Sequence, residues 1–130
     1  MYSPDVAVGL GSLVYALSKV DGQLQPEEIN VMRRLLAGSP YSDLAISALF
    51  LQENVGETSE KAYAFGLRRM AHDRVKLDVQ TEKWFVNILW RVAMAYEGVS
   101  GEERAFIRRF RSDLQRVQAR CDTLIRQRPD

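Results

Sequence analysis

The 130-residue chain has one cysteine, Cys121, and one histidine, His72. A single cysteine excludes an internal disulfide. That fits a reducing compartment, and a cytoplasmic location is expected. One histidine beside no cysteine pair offers no zinc constellation. No apolar run approaches the ~20 residues a membrane helix needs. The stretch from Val6 to Leu17 is apolar but is interrupted by Gly9, Gly11 and Ser12. It lacks a basic leader and a small-residue cleavage site, so it does not read as a signal peptide. Glycine-rich phosphate loops, G-x-S-x-G and H-E-x-x-H are all absent. No catalytic apparatus is recognisable, and a non-enzymatic role is expected. No segment alternates strictly enough for a strand.

What is present suits a soluble globule of one domain spanning 1–130. Apolar residues make up 46% and charged residues 27%, enough of each for a core and a solvated surface. The net charge of +1 argues against polyanion binding by bulk charge. The charge is unevenly laid out, however. Residues 1–60 carry three basic side chains against eight acidic ones; residues 61–130 carry fifteen against nine. That polarity suggests attraction between the halves, or a partner for one end.

Apolar spacing of three and four predicts six helices in one all-α domain. The first runs from Pro4 to Lys19, with proline at the first helical position. The second covers Pro26 to about Ala37 and stops at Gly38-Ser39-Pro40. The third covers Ser42 to about Glu53, and the fourth Ser59 to about His72. The fifth runs from about Asp78 to Gly98. Its broad apolar surface, from Trp84 to Tyr96, marks it as the expected central helix. The sixth starts at Ser100 and reaches toward Arg126. Its apolar residues Ile107, Phe110, Leu114, Val117, Cys121 and Leu124 form a narrow heptad-type seam. Short connections imply antiparallel or orthogonal packing. Met32, Met70 and Met94 read as core filler, Cys121 as a buried small hydrophobe, and His72-Asp73 as a cap or surface pair.

The informative feature is a repeated acidic turn. The first copy is Val20-Asp21-Gly22-Gln23-Leu24-Gln25-Pro26-Glu27-Glu28, followed by Met32-Arg33-Arg34-Leu35. The second is Tyr96-Glu97-Gly98-Val99-Ser100-Gly101-Glu102-Glu103, followed by Ile107-Arg108-Arg109-Phe110. Each has an acid-glycine turn, an acidic pair opening a helix, then Arg-Arg between apolar residues. The copies read as halves of a pseudo-two-fold domain.

Two readings of these acids stand side by side. In one they are caps: glutamates in a first turn favour the helix dipole, and Ser100 with Glu103 makes a capping box. Glycine in each turn then permits a left-handed backbone. In the other, Asp21, Glu27, Glu28, Glu97, Glu102 and Glu103 supply oxygens to a divalent cation, calcium or magnesium. Asp21-Gly22-x-Leu24-x-x-x-Glu28 matches the second half of an EF-hand loop. The first half fails at Leu17 and Lys19, so any site must draw ligands from the second turn. Two acidic clusters brought together repel, which raises pKa values or invites a cation.

Val20-Asp21-Gly22-x-Leu24-x-x-x-Glu28 at the end of an apolar helix, echoed by Glu97-Gly98 and Glu102-Glu103, resembles the TerB-like family over roughly residues 6 to 115. The match is closest at Asp21 and Glu28. The second copy departs from the pattern, with Glu97 where the family usually has aspartate and with a shorter turn. The resemblance implies an all-helical, pseudo-two-fold domain whose acidic loops bind a divalent cation. It also implies a partner-binding module in bacterial stress responses, tellurite resistance among them, rather than an enzyme.

The last helix and the residues just after it carry Arg104, Arg108, Arg109, Arg111, Arg116, Arg120, Arg126 and Arg128. A basic helix of this kind can contact nucleic-acid phosphates. It can equally be a solvated face whose arginines pair with the acids of the N-terminal half. The far end of its seam is expected to outrun the core and to suit a partner helix or a second copy. A hydrolase built on the carboxylate pairs is a third reading, which requires two acids with split pKa values in one pocket.

Overall fold

The computed structural model describes residues 2–71 and 77–126, with side chains described through Ala119. Six helices follow one another: α1 (Pro4–Lys19), α2 (Pro26–Leu36), α3 (Ser42–Val55), α4 (Ser59–Ala71), α5 (Val79–Met94) and α6 (Gly101–Arg126). No strand occurs among the described residues. Helix starts follow local chemistry. Ser3 Oγ accepts from the Val6 N–H at 3.2 Å, with Pro4 opening the helix. Asp78 Oδ1 accepts from the Thr81 N–H at 2.7 Å and caps α5. Each such bond satisfies a donor that helix geometry leaves orphaned.

The central helix is α1, not α5. Every residue of α1 from Gly9 to Ser18 is buried, including Leu10, Leu13, Val14, Tyr15 and Leu17. Helices α3 and α4 pack along it, and α5 and α6 also touch it. A helix apolar around its whole circumference has to be enclosed. By contrast α5 buries one stripe, Phe85, Ile88, Leu89, Val92 and Ala93, and leaves Arg91 and Met94 in solvent.

Glycine makes the enclosure possible. A Cβ on Gly9 would lie 2.7 Å from the Gly66 carbonyl oxygen, and one on Gly11 would collide with the backbone of Ala45. These two positions let the backbones of α4 and α3 approach α1 more closely than any side chain allows. Polar tethers hold the same contacts. Tyr15 Oη donates to the Glu57 carbonyl at 2.6 Å, and Ser59 Oγ donates to the Ala16 carbonyl at 2.7 Å.

Three further expectations change. Helix α5 ends at Met94 rather than Gly98, because Glu97 (φ 56°) and Gly98 (φ 79°) both turn left-handed and break the helical path. Met94 is 59% exposed, so it is not core filler, whereas Met32 and Met70 are buried. The α6 seam runs through Ile107, Phe110 and Leu114 as expected, then passes to Gln118, which is buried while Val117 is half-buried. A straight helix with 3.6 residues per turn drifts off a heptad within two turns. There Gln118 Oε1 accepts from the buried Leu77 N–H at 2.8 Å. His72 and Asp73 lie outside the described residues, as does the side chain of Cys121.

Candidate functional site

The two acidic turns meet. The α1–α2 turn and the α5–α6 turn face one another across a pocket of roughly 260 Å³. Its walls include Ser18, Asp21, Gly22 and Glu28 from the first turn, and Tyr96, Glu97, Gly98 and Glu103 from the second.

Both glutamates reach the pocket by the same device. Glu28 Oε1 accepts from the Gln25 N–H at 2.8 Å; Glu103 Oε1 accepts from the Ser100 N–H at 3.0 Å. Each is the third residue of its helix and folds back to cap it. Ser100 Oγ completes its box by accepting from the Glu103 N–H at 3.1 Å. The backward fold buries both side chains, at 4% and 5% exposure. The geometry separates the members of each acidic pair. Glu28 and Glu103 turn inward. Glu27 is exposed and does not line the pocket, and Glu102 lines a different depression with Glu60, Phe106 and Arg109. Of the six candidate acids, the structure therefore brings together Asp21, Glu28, Glu97 and Glu103.

Burial raises the carboxyl of Glu28 to about 7. The negative charges of Glu103 and Asp21 add to this, and the Gln25 N–H opposes it. Glu103 is raised for the same reason, first by burial and then by Asp21 and Glu102. The Ser18 hydroxyl lies near enough to Glu28 to favour its charged form, but in no geometry that makes a hydrogen bond. Ser18 is 3% exposed, and its Oγ has no hydrogen-bond partner. Sequence reading did not single out this residue. Its one signal is a hydroxyl in the last turn of an otherwise apolar helix.

Glycine does not serve both turns alike. Gly98 is left-handed at φ 79°, but Gly22 takes no positive φ and faces open space. The first turn has one residue more between its glycine and its acidic pair, so it reverses direction without a left-handed step.

The donors are hard oxygens of the right kind for calcium or magnesium. Among the described residues, however, no three acidic, histidine or cysteine side chains converge closely enough to hold one ion directly. The pocket gathers negative charge without forming a closed cage.

Three arginines of α6, Arg104, Arg109 and Arg116, make contacts within the chain. Arg109 grips Glu60 through two bonds, of 2.9 and 2.6 Å, and lies 4.0 Å from the centroid of the Tyr63 ring. Tyr63 Oη donates to Asp113 at 2.5 Å, and Arg116 pairs with the same Asp113 at 3.4 Å. Arg104 sits 5.9 Å over Trp90. No helix among the described residues is long and apolar enough to cross a membrane.

No curated protein and no solved structure matches the chain. The family model described as "Tellurite resistance protein TerB" matches residues 7–124, which take in four helices whole, most of α1 and α6, both acidic turns and every residue of the pocket between them. The chain therefore belongs to the TerB family.

Proposed function

We propose that this chain is a non-enzymatic binding or scaffold domain of a bacterial, tellurite-resistance-type stress response. In this reading it works in the cytoplasm on a protein partner, and its acidic pocket takes a divalent cation, calcium or magnesium. One observation carries the proposal: Glu28 and Glu103, supplied by equivalent positions of two separate turns, are buried against one pocket together with Asp21. Burying carboxylates near one another costs free energy that a cation recovers. Because no three acids meet at one point, the ion keeps part of its water shell, as magnesium does readily. Glu28, Glu103, Asp21 and the carbonyls of the turns are the groups that would hold it.

Calorimetric titration with calcium and with magnesium tests the cation. Heat that is lost in Asp21→Asn and Glu103→Gln supports it, and no heat in the unaltered chain removes it.

A second reading, a nucleic-acid-associated module, draws on one observation. Arg108, Arg111, Ser112 and Gln115 line a shallow depression on α6, a basic and hydroxyl-bearing surface suited to phosphate. Fluorescence anisotropy with DNA and RNA at low salt decides it, and no salt-sensitive signal ends it.

A further inference from the structure

The pocket between the two turns is acidic and has no basic side chain in its walls. Elsewhere the chain neutralises its buried or clustered acids with arginine, as Arg109 does for Glu60 and Asp113. We propose that the guest of this pocket is an arginine side chain of a partner protein, its guanidinium held between Glu28 and Glu103 against the ring of Tyr96. This rests on reading the pocket as a cation receptor and changes which cation fills it.

Four features favour a guanidinium. First, Ser18 Oγ is buried in the pocket wall with no hydrogen-bond partner, so the pocket holds an unmet polar group. An unpaired buried hydroxyl is costly, and an N–H donor satisfies it. Guanidinium has five donors and no acceptor. Second, Glu28 and Glu103 each commit Oε1 to a cap. The second oxygen of each, beside the hydroxyl of Ser18 or Ser100, has lone pairs to spare for a guest. Third, the acids do not converge on a point. A compact ion cannot touch three of them at once, whereas a planar fork spreads its donors over several ångströms. Fourth, Tyr96 lines the pocket and is 41% exposed, which presents an aromatic wall to the guest.

The chain contains its own example of this recognition. Arg109 lies between two carboxylates and over a tyrosine ring, with Glu60 and Asp113 as the acids and Tyr63 as the ring. The pocket offers the same residue types without the arginine. Met94, exposed just before the second turn, adds apolar surface for the rest of a polypeptide. A free guanidinium compound would not use that surface.

The test follows backbone amide resonances of the full chain during titration with acetyl-Gly-Arg-Gly-amide. The lysine and citrulline peptides, guanidinium chloride and calcium chloride serve as separate arms. The arginine peptide is expected to shift Ser18, Gly22 and Gly98. The lysine peptide should bind about tenfold more weakly, as loss of a bidentate contact implies, and the citrulline peptide should leave these resonances still. Glu103→Gln retains the cap acceptor, and Tyr96→Leu changes an exposed side chain. Each should weaken the arginine response without altering the rest of the spectrum. Calcium shifting these amides while the arginine peptide does not would overturn the arginine proposal and leave the cation receptor standing. Silence in every arm would overturn both. Equal response to lysine and arginine, or to guanidinium chloride and the peptide, would overturn recognition of a protein-borne guanidinium.

Discussion

Gly9 of α1 and Gly66 of α4 face each other so closely that a Cβ on either would lie within 2.9 Å of the other's carbonyl oxygen. The opposing atoms are backbone and cannot rotate away. Gly66→Ala is therefore expected to destabilise the fold by about 1–3 kcal/mol, the usual cost of overpacking. Gly11→Ala should cost at least as much, because its Cβ meets the Ala45 backbone. Urea midpoints measured by circular dichroism check both, and an unchanged midpoint would mean that α1 and α4 are not so close.

The two turn glycines should behave oppositely. Gly98 needs a left-handed backbone, so Gly98→Ala should lose about 1 kcal/mol. Gly22 has no such conformation and open space around it. Gly22→Ala should be neutral, or stabilising by up to about 1 kcal/mol through a less flexible unfolded chain. Thermal melts of the two variants side by side give the comparison.

Glu28 predicts how stability depends on pH. Its carboxyl is harder to ionise in the folded chain than in the unfolded one, so the folded state holds more protons between about 4.5 and about 7. Stability from this group is present at acid pH and falls as pH rises through that window. Glu103, raised in the same direction, adds to the fall. Glu28→Gln keeps an acceptor for the Gln25 N–H and removes the charge. It should flatten the dependence and stabilise the chain above pH 7 by on the order of 1 kcal/mol. Denaturant titrations at pH 5 and pH 8 provide the check; an unchanged slope in the variant would refute the assignment.

The acidic pairs predict an asymmetry in cation binding. Glu27→Gln and Glu102→Gln should leave binding unchanged, because those side chains do not line the pocket. Glu28→Gln and Glu103→Gln should each weaken it about tenfold, as loss of one direct charge contact implies. Calorimetry of the four variants separates a pocket from a diffuse acidic surface, on which all four would count alike.

Arg109 joins α6 to α4 by a fork and a stacked ring. Arg109→Lys retains the charge but loses both geometries, so a loss of about 0.5–1 kcal/mol is expected. Tyr63→Phe removes the donor to Asp113 and should cost about 1 kcal/mol. Guanidinium contacts Glu60, Asp113 and the same ring, so the two losses should not add in the double variant.

Local chemistry made much of this protein legible in the sequence. Ser3-Pro4, Asp78 and Ser100 set helix starts because each caps an N–H only three residues on. The stripes of Ile88-Leu89-Val92 and Ile107-Phe110-Leu114 became core because helical periodicity fixes which side chains share a face. The repeated acidic turns were visible for the same reason, and the family resemblance drew on them.

Tertiary structure alone decided the rest. How closely α1 is enclosed depends on Gly9 and Gly11 admitting two neighbouring backbones, and closeness of approach belongs to pairs of helices. Glu27 and Glu28 are adjacent and chemically alike, but successive helical residues point about 100° apart, so only one faces the opposing turn. The sequence by itself determined a six-helix chain with two acid-bearing turns; only the packing of α2 and α6 around the ends of α1 and α5 set those turns across a common pocket.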